Sequence, residues 1–364
     1  MSVALDITGL APEQFVFAPS PLAELGSTLH AITEPAHHRA QAGWIATIAS
    51  SVEPGLMDQL IDADFLWRTS RADLLLPASP RPSLLEELDQ WDTLDDEDWV
   101  RAALITSSCG ALSPRSDLGS PLTDPLAREL VRDRATARGL RQLDFVQAVL
   151  ESPTTARNWI RGLLLQCAEQ FFDDVWTKII GHLRADARTK HDQLTTKGLA
   201  QALAAISPSL HLDKSGQRIT VDKLQDSYTS AGQAGITFLP SVFGHPHLLV
   251  VHAAGWRPVL QYPIATAGVG AQHPASLDDI QQRLHALDHP LRIRLARSLI
   301  RGPHTTGELS DSWNLTAPEV SRNLALLRQA GLVTSHRDGR YVRYSLDLVN
   351  TARLGGDIID ALLR

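Results

Sequence analysis

The feature that most constrains this chain is a change of hydrophobic period between Pro290 and Leu346. Leu291, Leu295 and Leu299 recur every four residues and predict an amphipathic helix, stopped by Gly302-Pro303. A second short helix fits Thr306 to Trp313, with Leu309 facing inward. After Asn314-Leu315, Thr316 and Glu319 stand at the spacing of a capping box, in which each side chain bonds the other residue's amide. Val320, Leu324 and Leu327 predict a third helix with a buried stripe, ended by Gly331. The period then falls to two. Residues 332–335 and 341–346 flank Asp338-Gly339, a pair suited to a tight hairpin turn. Three helices followed by a hairpin is the order of a winged helix-turn-helix.

The stretch NLTAPEVSRNLALLRQAGLVTSHRDGRYVRYSL resembles the DNA-binding domain of the ArsR-type transcriptional repressors, and the likeness covers about a fifth of the chain. The resemblance implies a sequence-specific, double-stranded DNA-binding regulator. It further implies a repressor rather than an enzyme, cytoplasmic and homodimeric, on an inverted-repeat operator. On an ideal wheel centred on Val320, the residues Pro318, Ser321, Arg322, Ala325 and Gln329 fall on the flank or the opposite face. The expected DNA contacts are therefore Thr316, Pro318, Ser321, Arg322, Asn323 and Gln329 from the third helix, with Arg337, Arg340 and Arg343 from the wing. Arg322 leads because a guanidinium can pair with guanine through two hydrogen bonds. Glu319 is assigned to the cap, and Arg337 has an alternative as an ion-pair partner of Asp338.

Charge supports this placement. Residues 290–344 carry nine arginines against four acids, a balance of +5 in a chain of net charge -7, which leaves -12 elsewhere. Such a chain does not coat nucleic acid over its whole surface. Only Cys109 and Cys167 are present, too few for a disulfide framework or a four-cysteine site. The metal-responsive members of the resembled family carry a thiolate pair on the second helix of the module. No cysteine occurs from Thr305 to Asp311, and Asp357 and Asp360 of the final helix have no nearby histidine. No metal and no cofactor is expected. No run of eighteen apolar residues is present, so no membrane span is expected, and the acidic, proline-containing start does not read as a signal peptide.

At 364 residues the chain has room for a second, larger body. The expected class is α+β, with a mainly helical N-terminal region containing a small antiparallel sheet, followed by the winged helix-turn-helix. The N-terminal region spans 1–266, divisible at 153–154, and the DNA-binding domain spans 277–364. Helices are predicted from Pro21, from Leu84 behind the Ser83 cap, over 126–150 and over 155–207, with Cys167 as a buried apolar group. Val3, Leu5 and Ile7 alternate as a half-buried strand, and short strands follow between Leu210 and Tyr262. The acidic run Asp92–Asp98 fits a helix N-terminus better than a calcium loop. His245, His247 and His252 are the nearest approach to a ligand cluster. Five residues along a strand put His247 and His252 on opposite faces, and a turn with exposed histidines and one side chain lining a pocket is the preferred reading. His37-His38 falls in a linker. No GxSxG, P-loop or HExxH motif gives the N-terminal region a reaction. It is therefore assigned to effector sensing or scaffolding. Two alternatives stay open: an enzyme with a DNA-binding regulatory tail, and a winged helix used for protein assembly.

Overall fold

The computed structural model describes residues 2–38, 41–109, 118–222, 227–232, 234–251, 257–264, 275–338 and 341–363. The chain divides into two compact units, 1–273 and 274–363.

The first unit is built around the helix Pro21–Thr33. Ser20 caps it by accepting from the Ala23 amide at 3.0 Å, and Pro21 occupies the first turn, where no amide is needed. Residues from Pro21 to Ile32 are all buried. Among them, Ser27 and Thr28 satisfy their hydroxyls on the carbonyls of Ala23 and Glu24. A helix buried on every side is a core element, and its neighbours include Leu56, Leu60, Phe65, Trp67 and Trp99. The predicted helix over 126–150 is two helices, Pro125–Arg138 and Leu140–Glu151, because Gly139 turns the chain at φ 143°. The stretch 155–207 is likewise interrupted, by a π-helical turn at Ala168–Phe172 and by Gly198 at φ 84°. Cys167 is buried as expected, and burial pushes its thiol up to about 12.

The small antiparallel sheet is the expectation that fails. Eight strands occur in this unit among the described residues: β1 (Ser2–Asp6), β2 (Phe15–Phe17), β3 (Leu210–Leu212), β4 (Arg218–Asp222), β5 (Ser227–Ser230), β6 (Ile236–Ser241), β7 (Leu249–Val251) and β8 (Val259–Pro263). They form two mixed four-stranded sheets, ordered β3-β4-β1-β5 and β2-β6-β8-β7. β1 lies antiparallel to β4, with Leu5 opposite Ile219, and parallel to β5. β2 runs parallel to β6, where Phe17 stacks on Phe238 with ring centroids 4.7 Å apart. The alternation of β1 is visible in the sequence, but its partners stand more than two hundred positions away. These pairings bridge the expected divide at 153–154. β5 carries no aliphatic residue and was not foreseen.

The second unit is a winged helix. Helices Leu277–Leu287, Pro290–Leu299, Thr306–Trp313 and Ala317–Gln329 precede the three-stranded sheet of β9 (His304–Thr305), β10 (Val333–Asp338) and β11 (Tyr341–Leu346), ordered β10-β11-β9. Helix Leu348–Leu363 follows. Its core is formed by Leu295, Leu299, Leu309, Val320, Leu324 and Leu327, all at most 3 % exposed.

Candidate nucleic-acid interface

The helix Ala317–Gln329 is positioned from both ends. Asn314 takes the left-handed conformation at φ 51° and closes the preceding helix, and Thr316 caps the new one. Only half of the expected capping box forms there. Thr316 Oγ1 accepts from the Glu319 amide at 3.4 Å, and the reciprocal bond from Glu319 is not made. Complete boxes stand elsewhere, at Thr305 with Glu308 and at Ser276 with Asp279. Val320, Leu324 and Leu327 are 0 % exposed and anchor the inward stripe. Opposite them Pro318, Ser321, Arg322, Ala325 and Gln329 are all exposed, and so is Thr316. Arg322 makes no hydrogen bond or ion pair among the described residues, so its donors face solvent. Asn323 is half-buried and donates its amide to the Glu319 carbonyl at 2.9 Å, which commits that group within the helix. Pro318 and Gln329 are separated by about 16 Å of helical rise, so they cannot address the same base pairs.

The wing is less uniformly available than its arginine count implies. β10 and β11 pair from Val333↔Leu346 to Asp338↔Tyr341, leaving residues 339 and 340 between the strands. Arg340 therefore lies outside the described residues. Arg337 is exposed. Arg343 is half-buried and lies 4.0 Å from Glu308, across from β9. Tyr344 packs on the core of the unit, whereas Tyr341 is exposed and so is Val342, which a two-residue period would place on the face of Tyr344. Arg328 reaches Ser335 Oγ at 3.3 Å and ties the helix to the wing.

Two members of the basic window are structural. Arg292 is 8 % exposed and donates to the carbonyls of Ala286 and His285, capping the end of the helix Leu277–Leu287. Arg294 lies over the Trp313 ring at 6.0 Å. The spacing of Leu354, Ile358 and Leu362 predicts an inward stripe on a final helix over 347–363, and the structure differs. Leu354 and Ile358 are half-buried and Leu362 is 67 % exposed, while the buried position is Asp357. Its carboxylate accepts from Arg283 at 2.7 Å and lies 3.9 Å from Arg353. An acid so paired is not poised as a metal ligand.

In the first unit, the acidic run serves the helix Asp96–Cys109: Asp95 accepts from the Asp98 amide, and Asp92 and Asp96 pair with Arg161 and Arg157. His252 lies outside the described residues. His247 is 9 % exposed and is the histidine of the turn that points inward, where it meets His30 and His37, which nothing in the local sequence signals.

Comparison with known proteins matches the two units to two families. Residues 1–268 match a family of unknown function, DUF5937, and residues 287–336 match a helix-turn-helix domain. A probable mercury resistance operon repressor of Streptomyces lividans is 35 % identical over 102 residues, spanning 26 % of this chain and 79 % of the relative. The transcriptional repressor SdpR of Bacillus subtilis is 32 % identical over 62 residues, spanning 17 % of this chain and 69 % of the relative. The crystal structure of the transcriptional repressor BigR from Xylella fastidiosa covers 23 % of this chain and 83 % of its own, at 28 % identity and a TM-score of 0.20. The chain belongs to the DUF5937 family and carries at its C-terminus the ArsR-type winged helix-turn-helix of DNA-binding transcriptional regulators.

Proposed function

We propose that the protein is a cytoplasmic, homodimeric repressor that reads an inverted-repeat operator through residues 277–364, under control of an effector received by residues 1–266. The observation that carries the reading is the exposed face of the helix Ala317–Gln329, with an unengaged Arg322 at its centre over a fully buried leucine stripe. Ser321 and Pro318 flank Arg322 at the base edges, Thr316 meets a phosphate, and Gln329 contacts the far side of the site. Arg337, Arg340 and Arg343 contact the backbone from the wing, with Arg343 shared with Glu308. Asn323 acts through the helix rather than on a base.

The dimer reading is supported by apolar residues that the second unit leaves exposed. Leu348 and Leu362 stand fourteen positions apart on one helix, with Gly355 midway, and Leu277 and Leu284 are exposed on the helix Leu277–Leu287. An effector role for the first unit is supported by an open cleft of about 500 Å³ lined by residues including Asp62, Arg141, Phe145, Val149 and Trp159. Among the described residues no helix is long and apolar enough to cross a membrane.

Selection of bound sequences from random duplex DNA tests the reading. An inverted repeat is expected, with affinity that falls steeply with salt and is weakened in Arg322→Ala, with specificity relaxed at the base it reads. Recovery of a single, unrepeated site would remove the dimer. Unchanged specificity in Arg322→Ala would remove Arg322 from base recognition.

A further inference from the structure

The first unit holds a cluster of imidazoles that the DNA-binding reading does not use. His30 occupies the last turn of the helix Pro21–Thr33, and His37 follows in the 3-10 turn Pro35–His37. His247 arrives from the turn after β6. Two clamps fasten that turn. Glu24 Oε1 accepts from the amides of Val242 and Phe243 at 2.8 and 3.0 Å, and Gln41 donates to the Val242 carbonyl at 2.7 Å. His30 Nε2 thereby lies 3.1 Å from His247 Nε2, and one ring nitrogen from each of His30, His37 and His247 lies within 4.8 Å of the others. Tetrahedral zinc, with Zn–N distances of about 2.0–2.1 Å, holds its donor nitrogens about 3.3 Å apart. The His30–His247 pair already stands at that spacing, and rotation of the half-buried His37 closes the third side.

The surroundings suit a metal more than a hydrogen-bonded histidine pair. His30 Nδ1 lies 2.9 Å from the Trp67 carbonyl, which can only accept, so Nδ1 carries the proton and Nε2 presents its lone pair. Orientation of a ligating imidazole by a backbone carbonyl is the usual second layer of such sites. His38 stands edge-on to His30 and His247, with centroids 5.1 and 5.4 Å away, and walls the cluster. A lone bond from His247 Nε2–H to His30 would explain the 3.1 Å contact. It would leave the buried His37 Nδ1 without a hydrogen bond and give no reason for a third ring to converge. Arg71 is the fixed cation of the neighbourhood, so a dication there needs an anionic group in its fourth position to offset the repulsion.

We propose that His30, His37 and His247 form a three-histidine site for a divalent transition metal of the zinc class, with its fourth position held by hydroxide or a small anion. The site is independent of where DNA binds. The test uses the tag-free, full-length chain, stripped with a chelator and titrated with Zn²⁺ and with Co²⁺. One metal per chain is expected, and bound cobalt should show the intense visible absorption of a tetrahedral site. His37→Gln should weaken binding on the order of 10–100-fold, with circular dichroism unchanged, and His247→Gln should weaken it at least as much. Failure of the wild-type chain to bind a stoichiometric metal, or an affinity unchanged in His37→Gln, overturns the proposal. Those two measurements suffice even if His247→Gln does not fold.

Discussion

The two units place their charged groups in opposite ways. In the winged helix the cations that face solvent, Arg322 and Arg337, lie on a surface whose underlying core is aliphatic. In the first unit, Glu24, Arg71 and Glu87 are at most 3 % exposed and are held by hydrogen bonds to backbone amides and carbonyls. Surface charge costs little to fold and is available to a partner. Buried charge costs several kcal/mol per group unless satisfied, and so fixes geometry inside the molecule. The contrast separates a unit built to present groups outward from one built to hold them in place. The acidic exception lies in the second unit, where Asp357 is buried between Arg283 and Arg353, and Arg292 is a buried cation of the same unit.

The sharpest attempt to break this contrast is Glu24→Ala. It strips the acceptor from two amides and removes the counter-charge of Arg71, and should destabilise the first unit by about 3–5 kcal/mol in urea unfolding. Glu24→Gln should recover most of that loss, because its oxygen still accepts from the amides of Val242 and Phe243. It also isolates a pH effect. Burial pushes the Glu24 carboxyl up to about 7, above its ordinary 4.5. The folded state thus holds this proton more tightly than the unfolded chain. The associated stability is fully present below pH 4.5 and is lost as pH rises through 7, and Glu24→Gln should remove this share of the slope and leave that of Glu87, which burial also pushes up to about 7. A loss below about 1 kcal/mol in Glu24→Ala would mean that the buried charges of this unit position nothing.

Arg283→Ala probes the exception. It leaves Asp357 with Arg353 alone at 3.9 Å and should cost about 3 kcal/mol, read in the same unfolding assay. Arg322→Ala is the outward counterpart: an operator-affinity loss of about 1–3 kcal/mol, with the melting temperature of the chain unchanged. A shift in melting temperature equal to that of Arg283→Ala would erase the distinction between presented and buried charge. Smallest is Thr316→Ala. The cap bond is 3.4 Å long and one-sided, so a loss of about 0.5–1 kcal/mol is expected, visible as faster exchange of the Glu319 amide.

Legibility in the sequence follows the same division. The winged helix is dominated by local order, so leucines three and four apart, a threonine cap and a strand period mark Thr306–Trp313, Ala317–Gln329 and Tyr341–Leu346 at their observed bounds. What escaped there was the use of individual polar groups. Arg292 counts as a surface cation until its carbonyl partners are seen, and Leu362 completes an apolar stripe that Asp357 in fact interrupts. In the first unit β1, β3 and β4 carry a two-residue period, but nothing local says that Leu5 faces Ile219 or that Phe17 stacks on Phe238. His247 stands out in the sequence as a candidate ligand, but its meeting with His30 and His37 is hidden for the same reason. Two lie near one another in sequence, and the third joins them only through clamps made by Glu24 and Gln41.

The long-range closure of β1 has a consequence for vectorial synthesis. Its antiparallel partner begins at Arg218, so at translation rates of about 5–20 residues per second the N-terminal strand waits roughly 10–40 s for the residues that complete its ladder. During that interval the edges of Val3–Leu5 and Phe15–Phe17 are open to any other nascent strand. A ribosome-bound chain arrested before residue 218 should therefore be cut within its first twenty residues by a protease that spares them in the finished protein. The opposite end of the message has no such delay: every strand of the wing finds its partner within about forty residues.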